Sequence, residues 1–152
     1  MKMSGEVSLP AARHIVWERL NDPEVLKDCI PGCESLIRER DGFAAIAKIK
    51  VGPITATFKG RVDLTDLDPP SGYRIVGGGE GGLAGFAKGS ASVRLTEVSD
   101  DQCLLSYDVE ANIGGKLAQL GSRLIDSVAK KTADQFFQKF ASAFADESKM
   151  TS

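Results

Sequence analysis

The last third of the chain, residues 114–145, constrains the fold more than any other part. Apolar side chains recur there every three or four residues from Leu117 to Phe144, and charged and amide side chains occupy the opposite side. That spacing predicts an amphipathic helix. A helix of roughly thirty residues would be about 45 Å long and would therefore cross a whole domain. We expect the preceding chain to form the surface on which this helix packs.

Short segments with alternating apolar and polar residues precede the helix, and tight turns separate them. The alternation is clearest at 54–65, where Ile54, Phe58 and Leu64 share one face. The predicted order is a strand, two short helices and six strands, at 3–9, 11–20, 24–29, 33–40, 43–51, 54–65, 73–78, 91–95 and 103–113.

This order predicts one α+β domain over residues 1–146, in which a curved antiparallel sheet wraps the long C-terminal helix. Residues 147–152 would form a short polar tail. The glycine-rich stretch at 77–85 is expected to be a reversal between two strands, and the long helix is expected to start after Gly114 and Gly115.

Charge and hydropathy exclude several classes of function. The formal net charge is -2. A nucleic-acid-binding protein is expected to carry clustered positive charge instead. No apolar run has the length of a signal peptide or of a membrane span. We therefore expect a soluble, cytoplasmic protein, and we expect its three cysteines to be reduced thiols.

The residues predicted to face the helix are small, and this is the main indication of function. They are Ala45, Ala47, Ala56, Gly60, Gly77, Ala91 and Ala111. Small side chains opposite a single helix leave concave space, and protein interiors contain few large voids. Either the phenylalanines of the helix fill this space or an apolar ligand does, and we favour the ligand.

The expected cavity takes its wall from the strands and the long helix. We predict the ligand contacts Phe43, Ala47, Phe58, Gly60, Phe86, Tyr107, Leu120 and Leu124. Three turns at one end of the sheet contain glycine and leave little side-chain bulk, so the mouth is predicted near Gly52, Gly82 and Gly115.

Catalytic groups are scarce in this arrangement. In the predicted interior, the only reactive side chains are those of Cys103 and Tyr107. General acid-base catalysis needs a titratable group within reach of the substrate. We predict no catalytic residue and no metal site. Asp28, Glu34 and Glu80 near the expected mouth stay open as acid-base candidates.

Several segments, in order along nearly the whole chain, resemble one known family. They are 22–26, 29–34, 51–53, 58–62, 85–90 and 114–123. Together they resemble the family of the carbon monoxide dehydrogenase G subunit, within the START-related helix-grip (SRPBCC-type) superfamily. The resemblance implies a helix-grip fold with a hydrophobic cavity. It also implies an accessory role to molybdenum-containing hydroxylases such as aerobic carbon monoxide dehydrogenase, with a bound quinone or lipid and membrane attachment of the enzyme.

The expected function is thus non-catalytic binding of a quinone- or lipid-like molecule, with no covalently held cofactor. Longer family members carry an apolar C-terminal tail, whereas this sequence ends in polar residues, so we do not expect membrane anchoring. Peripheral attachment at the inner face of the membrane stays open. The alternatives are an enzyme of the cyclase or dehydratase type and a protein-interaction module with a filled core.

Overall fold

The computed structural model contains seven antiparallel strands and three α-helices within residues 1–151. The structure describes the backbone of residues 1–151 and the side chains of residues 1–144, so the polar tail expected at 147–152 lies outside the described side chains. The elements are β1 (Lys2–Leu9), α1 (Arg13–Leu20), α2 (Pro23–Cys29), β2 (Cys33–Glu39), β3 (Gly42–Val51), β4 (Ile54–Asp68), β5 (Gly72–Glu80), β6 (Phe86–Ser99), β7 (Gln102–Gly114) and α3 (Ser122–Thr151).

The strands form a single sheet in the order β1-β7-β6-β5-β4-β3-β2. Strands β2 to β7 are a meander, and β1 joins it beside β7, so β1 and β2 are the two edges. Ala45 pairs with Gly60 and Gly60 pairs with Gly79, which places these small residues on the face that the alternation assigns to α3. The predicted class, a curved antiparallel sheet with a long C-terminal helix and two short helices after the first strand, is confirmed.

Helix α2 starts as its sequence predicts. The Asp22 carboxylate accepts a hydrogen bond of 3.0 Å from the Glu24 backbone N–H, and Pro23 occupies the first turn, where a missing N–H costs nothing. Because α2 ends at Cys29, the bend at Pro31 and Gly32 leads directly into β2, and α2 packs against this edge strand.

The long helix does not begin at Gly114. Residues Gly115–Leu120 form a 3-10 turn, and α3 starts only at Ser122. Gly121 between them has a φ of 94°, in the left-handed region that glycine adopts without steric penalty. This break separates Leu117 and Leu120 from the helix.

The glycine-rich stretch is mostly strand, contrary to the expected reversal at 77–85. Strand β5 continues to Glu80, and only residues 81–85 turn the chain. A Cβ atom on Gly77 would overlap the carbonyl oxygen of Arg61 on β4. Glycine is therefore required here because the neighbouring strand approaches closely.

Buried side chains form two apolar clusters. The main cluster packs α1 and the end of α3 on the sheet, and its fully buried members are Phe140, Leu9, Leu95, Leu105, Val16 and Cys103. The second cluster contains Val51, Phe58, Ala84 and Leu117, with Leu120 and Leu124 packed against it. Among the residues described here, none of the helices has the length and apolar composition that a membrane crossing requires.

Candidate functional site

A cavity of ≈680 Å³ lies between the concave face of the sheet and α3. Its volume is within the range of roughly 300 to 1,000 Å³ that is typical of small-molecule sites. Every strand and every α-helix contributes to its wall, and within residues 1–144 no charged side chain does. The side-chain oxygen atoms of the wall are the hydroxyls of Tyr73, Tyr107 and Thr132. Such a wall favours an apolar ligand that carries few polar atoms.

The two halves of α3 have different roles around this cavity. The first half presents Ile125, Ala129 and Ala133 to it, and the second half buries Phe140 and Phe144 in the main cluster. The helix phenylalanines therefore leave the space open. Small residues on the first half fill little of the space between α3 and the sheet, and packing of the second half fixes the position of the helix.

A row of aromatic rings joins the cavity wall to the main cluster. Tyr107 of β7 stacks on Phe137 with ring centroids 5.2 Å apart, and Phe137 meets Phe136 edge-on at 5.0 Å. Phe136 then stacks on Phe140 at 5.7 Å. Offset and edge-on pairs of this kind add about 0.5 to 1.5 kcal/mol each beyond their buried area. The row therefore ties this side of the cavity wall to the main cluster.

The two tyrosines of the wall are neutral hydrogen-bond donors. Burial raises the pKa of Tyr73 to about 12, and it also raises the pKa of Tyr107, with a smaller contribution from the Asp134 carboxylate. Within residues 1–144, neither hydroxyl has a hydrogen-bond partner. The Tyr107 hydroxyl lies against Gly5 of β1, where any Cβ atom would overlap it. Both phenols can therefore donate a hydrogen bond to a ligand oxygen.

Because Tyr73 is buried, we expect the stability of the folded protein to fall as the pH rises in the alkaline range. The unfolded chain releases this proton near pH 10 and the folded chain near 12, so the stabilisation is complete below pH 10 and is lost as the pH rises toward 12. The difference between the two pKa values is equivalent to about 2 to 3 kcal/mol in the free energy of unfolding. Denaturant unfolding of the parent and of Tyr73→Phe between pH 9 and about 12 should show this component only in the parent. Parallel curves for the two proteins would contradict it.

Comparisons with known proteins agree with this fold. Residues 5–145 match the family of the carbon monoxide dehydrogenase G subunit, CoxG. The chain belongs to this family. A conserved protein from Geobacillus kaustophilus is 32% identical in sequence, with 96% of each chain covered and a TM-score of 0.90. A search of curated proteins gave no significant match.

More distant structures share the fold of this CoxG family member. A START superfamily protein from Mycobacterium smegmatis is 12% identical, with 95% of this chain and 97% of that chain covered and a TM-score of 0.72. The Zhui aromatase/cyclase from a Streptomyces species is 16% identical, with coverage of 95% and 93% and a TM-score of 0.67. At these identities the likeness shows the START-like fold alone.

The structure places the predicted ligand contacts in three groups. Phe43, Phe58 and Tyr107 belong to the cavity wall. Ala47 and Gly60 face the same side of the sheet but are not part of the wall. Larger side chains of neighbouring residues reach farther from the sheet and form the wall in their place. Binding of a ligand by the residues of the wall stays a prediction.

The other predicted contacts are not part of the cavity wall. Leu120 and Leu124, on either side of the break at Gly121, pack against the second cluster. Phe86 lies on the outer face of the sheet and is 40% exposed, with the Lys88 ammonium 5.8 Å from its ring centre. Residues of β6 with odd numbers face the cavity, so Phe86 points outward.

The cavity opens at its side rather than at the glycine-containing end. Gly52 lies against Leu124, Gly115 lies against Gly85, and neither these glycines nor Gly82 belong to the wall. Two residues of the wall are exposed, Ile49 of β3 and Thr132 of α3. They indicate an opening between β3, α3 and the loop after α2. Thr132 is a polar residue within the apolar stripe of α3, and this signal could have located the opening from the sequence.

Acidic and thiol groups stay outside the cavity. Asp28, Glu34 and Glu80 are absent from its wall, and Cys103 is buried in the main cluster, where burial raises the pKa of its thiol. The three cysteines are free. Within the described residues, no group of three or more potential metal ligands comes together. The cavity thus offers shape, apolar surface and neutral hydroxyls.

Proposed function

We propose that this chain is a non-catalytic binding protein for a hydrophobic small molecule that is quinone- or lipid-like. The observation that supports this most is the ≈680 Å³ cavity, to whose wall the described side chains, those of residues 1–144, contribute no charge. The part of a molecule that lies between the sheet and α3 would be removed from water, and each buried CH₂ group contributes about 0.8 kcal/mol to binding. The fold holds such a molecule between the sheet and α3.

The chemistry of the wall fits a ligand with an acceptor oxygen. Tyr73 and Tyr107 can each donate one hydrogen bond, and a carbonyl oxygen of a quinone or of an acyl chain can accept it. Binding of such an oxygen would supply an acceptor that these hydroxyls do not have within residues 1–144.

The proposed partner follows from the family. The CoxG family takes its name from carbon monoxide dehydrogenase, and we propose that this chain serves a molybdenum-containing hydroxylase of that kind in the cytoplasm. Binding and release of the ligand would be its contribution. We propose no covalently held cofactor and no metal of its own.

An enzyme of the cyclase type is the second candidate, because the Zhui aromatase/cyclase has the same fold. The wall of the cavity argues against it. Among the side chains that the structure describes, no carboxylate and no histidine belongs to the wall, and the raised pKa values of its tyrosines make them weak proton donors near neutral pH.

Native mass spectrometry of protein purified from its own host separates these functions. We expect an apolar molecule that co-purifies with the protein, is released on denaturation and keeps the same mass after long incubation. A time-dependent conversion of the released molecule would instead support the enzyme. No bound molecule, together with no uptake of an added quinone or fatty acid, would support an interaction module and overturn the proposal.

A further inference from the structure

A second pocket, of ≈440 Å³, lies beside the cavity and has a different chemistry. Its wall includes Lys27 and Asp28 of α2 and Lys139 of α3. Two residues of the loop after α2, Ile30 and Pro31, line both this pocket and the cavity. The two spaces are therefore neighbours across that loop, next to the opening of the cavity.

Helix α3 connects the two spaces along one side. Thr132 lines the cavity, while Gln135 and Lys139 line the pocket. Spacings of three and seven residues keep these side chains on the same side of a helix. A molecule that leaves the cavity past Thr132 would therefore meet Gln135 first and Lys139 next.

The pocket carries an excess of positive charge. Lys27 and Lys139 contribute two positive charges and Asp28 contributes one negative charge, and within residues 1–144 none of the three forms an ion pair. Cys29 and Cys33 also line the pocket, and burial raises the pKa of both thiols, so they stay neutral. The net charge of these three side chains is therefore +1, and one negative charge on a ligand would neutralise it.

We propose that this pocket, the lysine pocket, binds the singly charged carboxylate head group of an amphipathic ligand whose hydrocarbon tail lies in the cavity. The inference rests on the proposed binding function and narrows its ligand to a fatty-acid-like anion. Ammonium groups donate strong hydrogen bonds to a carboxylate. The Gln135 amide can donate another, and the free tyrosine hydroxyls then meet the ligand chain or an oxygen on it.

Two probes with the same tail test this inference, dodecanoate and dodecanol, each titrated calorimetrically below its aggregation concentration at neutral pH. We expect the parent to bind dodecanoate about tenfold more tightly than dodecanol. The double variant Lys27→Gln/Lys139→Gln should bind dodecanoate no more tightly than dodecanol, and its affinity for dodecanol should not change. Lys116→Gln/Lys130→Gln, a matched loss of two exposed lysines outside both pockets, should keep the preference.

Equal affinities of the parent for the two probes would overturn the lysine pocket, and so would a preference that survives in the Lys27→Gln/Lys139→Gln variant. Either result leaves the proposed binding function intact, because dodecanol still binds. Binding of neither probe would instead overturn the binding function. If the double variant does not fold, the single variants decide the question. Each should lose about threefold of the preference, and an unchanged preference in both would overturn the inference.

Discussion

Replacing Phe140 by alanine is expected to lower the free energy of unfolding by about 3 to 5 kcal/mol. The Phe140 side chain is fully buried in the main cluster. It stacks on Phe136 and meets Phe144 edge-on at 5.1 Å, so its removal leaves an apolar void between α3 and the sheet. A domain of this size has a total stability of about 5 to 15 kcal/mol. Urea unfolding, followed by circular dichroism, measures the loss.

Phe86→Ala is the matched control for this measurement. The same side chain is removed there from the outer face of the sheet, where Phe86 is 40% exposed, and the expected loss is about 1 kcal/mol or less. Similar losses for Phe86→Ala and Phe140→Ala would mean that α3 contributes no more to the core than an exposed strand position does. That outcome would contradict the packing of α3 on the sheet.

The types of the elements could be predicted from the sequence, because period two and period 3.6 are local signals. The start of α3 could not. A 3-10 turn and an α-helix both keep residues three apart on nearly the same side, so Leu117, Leu120 and Leu124 follow one apolar stripe across the break at Gly121. The sequence marks the break only by a single glycine within a helical pattern.

The cavity was predictable for a reason that is only partly correct. Ala91 and Ala111 do border open space. At Gly60, by contrast, a Cβ atom would overlap the backbone of Gly78 on the next strand. A small inward-facing residue can therefore indicate either free volume or the close approach of two strands. The amino-acid sequence alone does not distinguish these two causes.

The position of the opening depends on tertiary distances that no periodicity encodes. The end with the glycine turns is closed by Leu117, Leu120 and Leu124, which the sequence assigned to the helix stripe. Ile49 of β3 and Thr132 of α3 border the opening although they lie far apart along the chain. The outward direction of Phe86 could have been predicted from the sequence. Ala91, Val93 and Leu95 face inward, and the same alternation, extended back along the strand, puts Phe86 on the outer face.

Filling the cavity from both walls should abolish ligand binding without unfolding the domain. Ala91 of β6 pairs with Ile75 and Val109 in the middle of the sheet, and Ala129 lies on α3. In Ala91→Phe/Ala129→Phe, two rings would occupy space that a ligand needs. We expect the affinity for a decyl-substituted benzoquinone, or for dodecanol, to fall by at least about a hundredfold, equivalent to about 3 kcal/mol. The rings enter open volume, so the melting temperature should stay the same or rise.

The control places the same two rings one residue later on each element, in Ser92→Phe/Lys130→Phe. Both positions are exposed and lie outside the cavity wall, so the affinity should stay within about twofold of the parent value. A tightly packed interior would respond differently, because overpacking costs about 1 to 3 kcal/mol at each position. Ala91→Phe/Ala129→Phe would then melt well below the parent. A destabilised cavity variant, combined with a parent that takes up neither probe, would show that the space between the sheet and α3 is not a binding site.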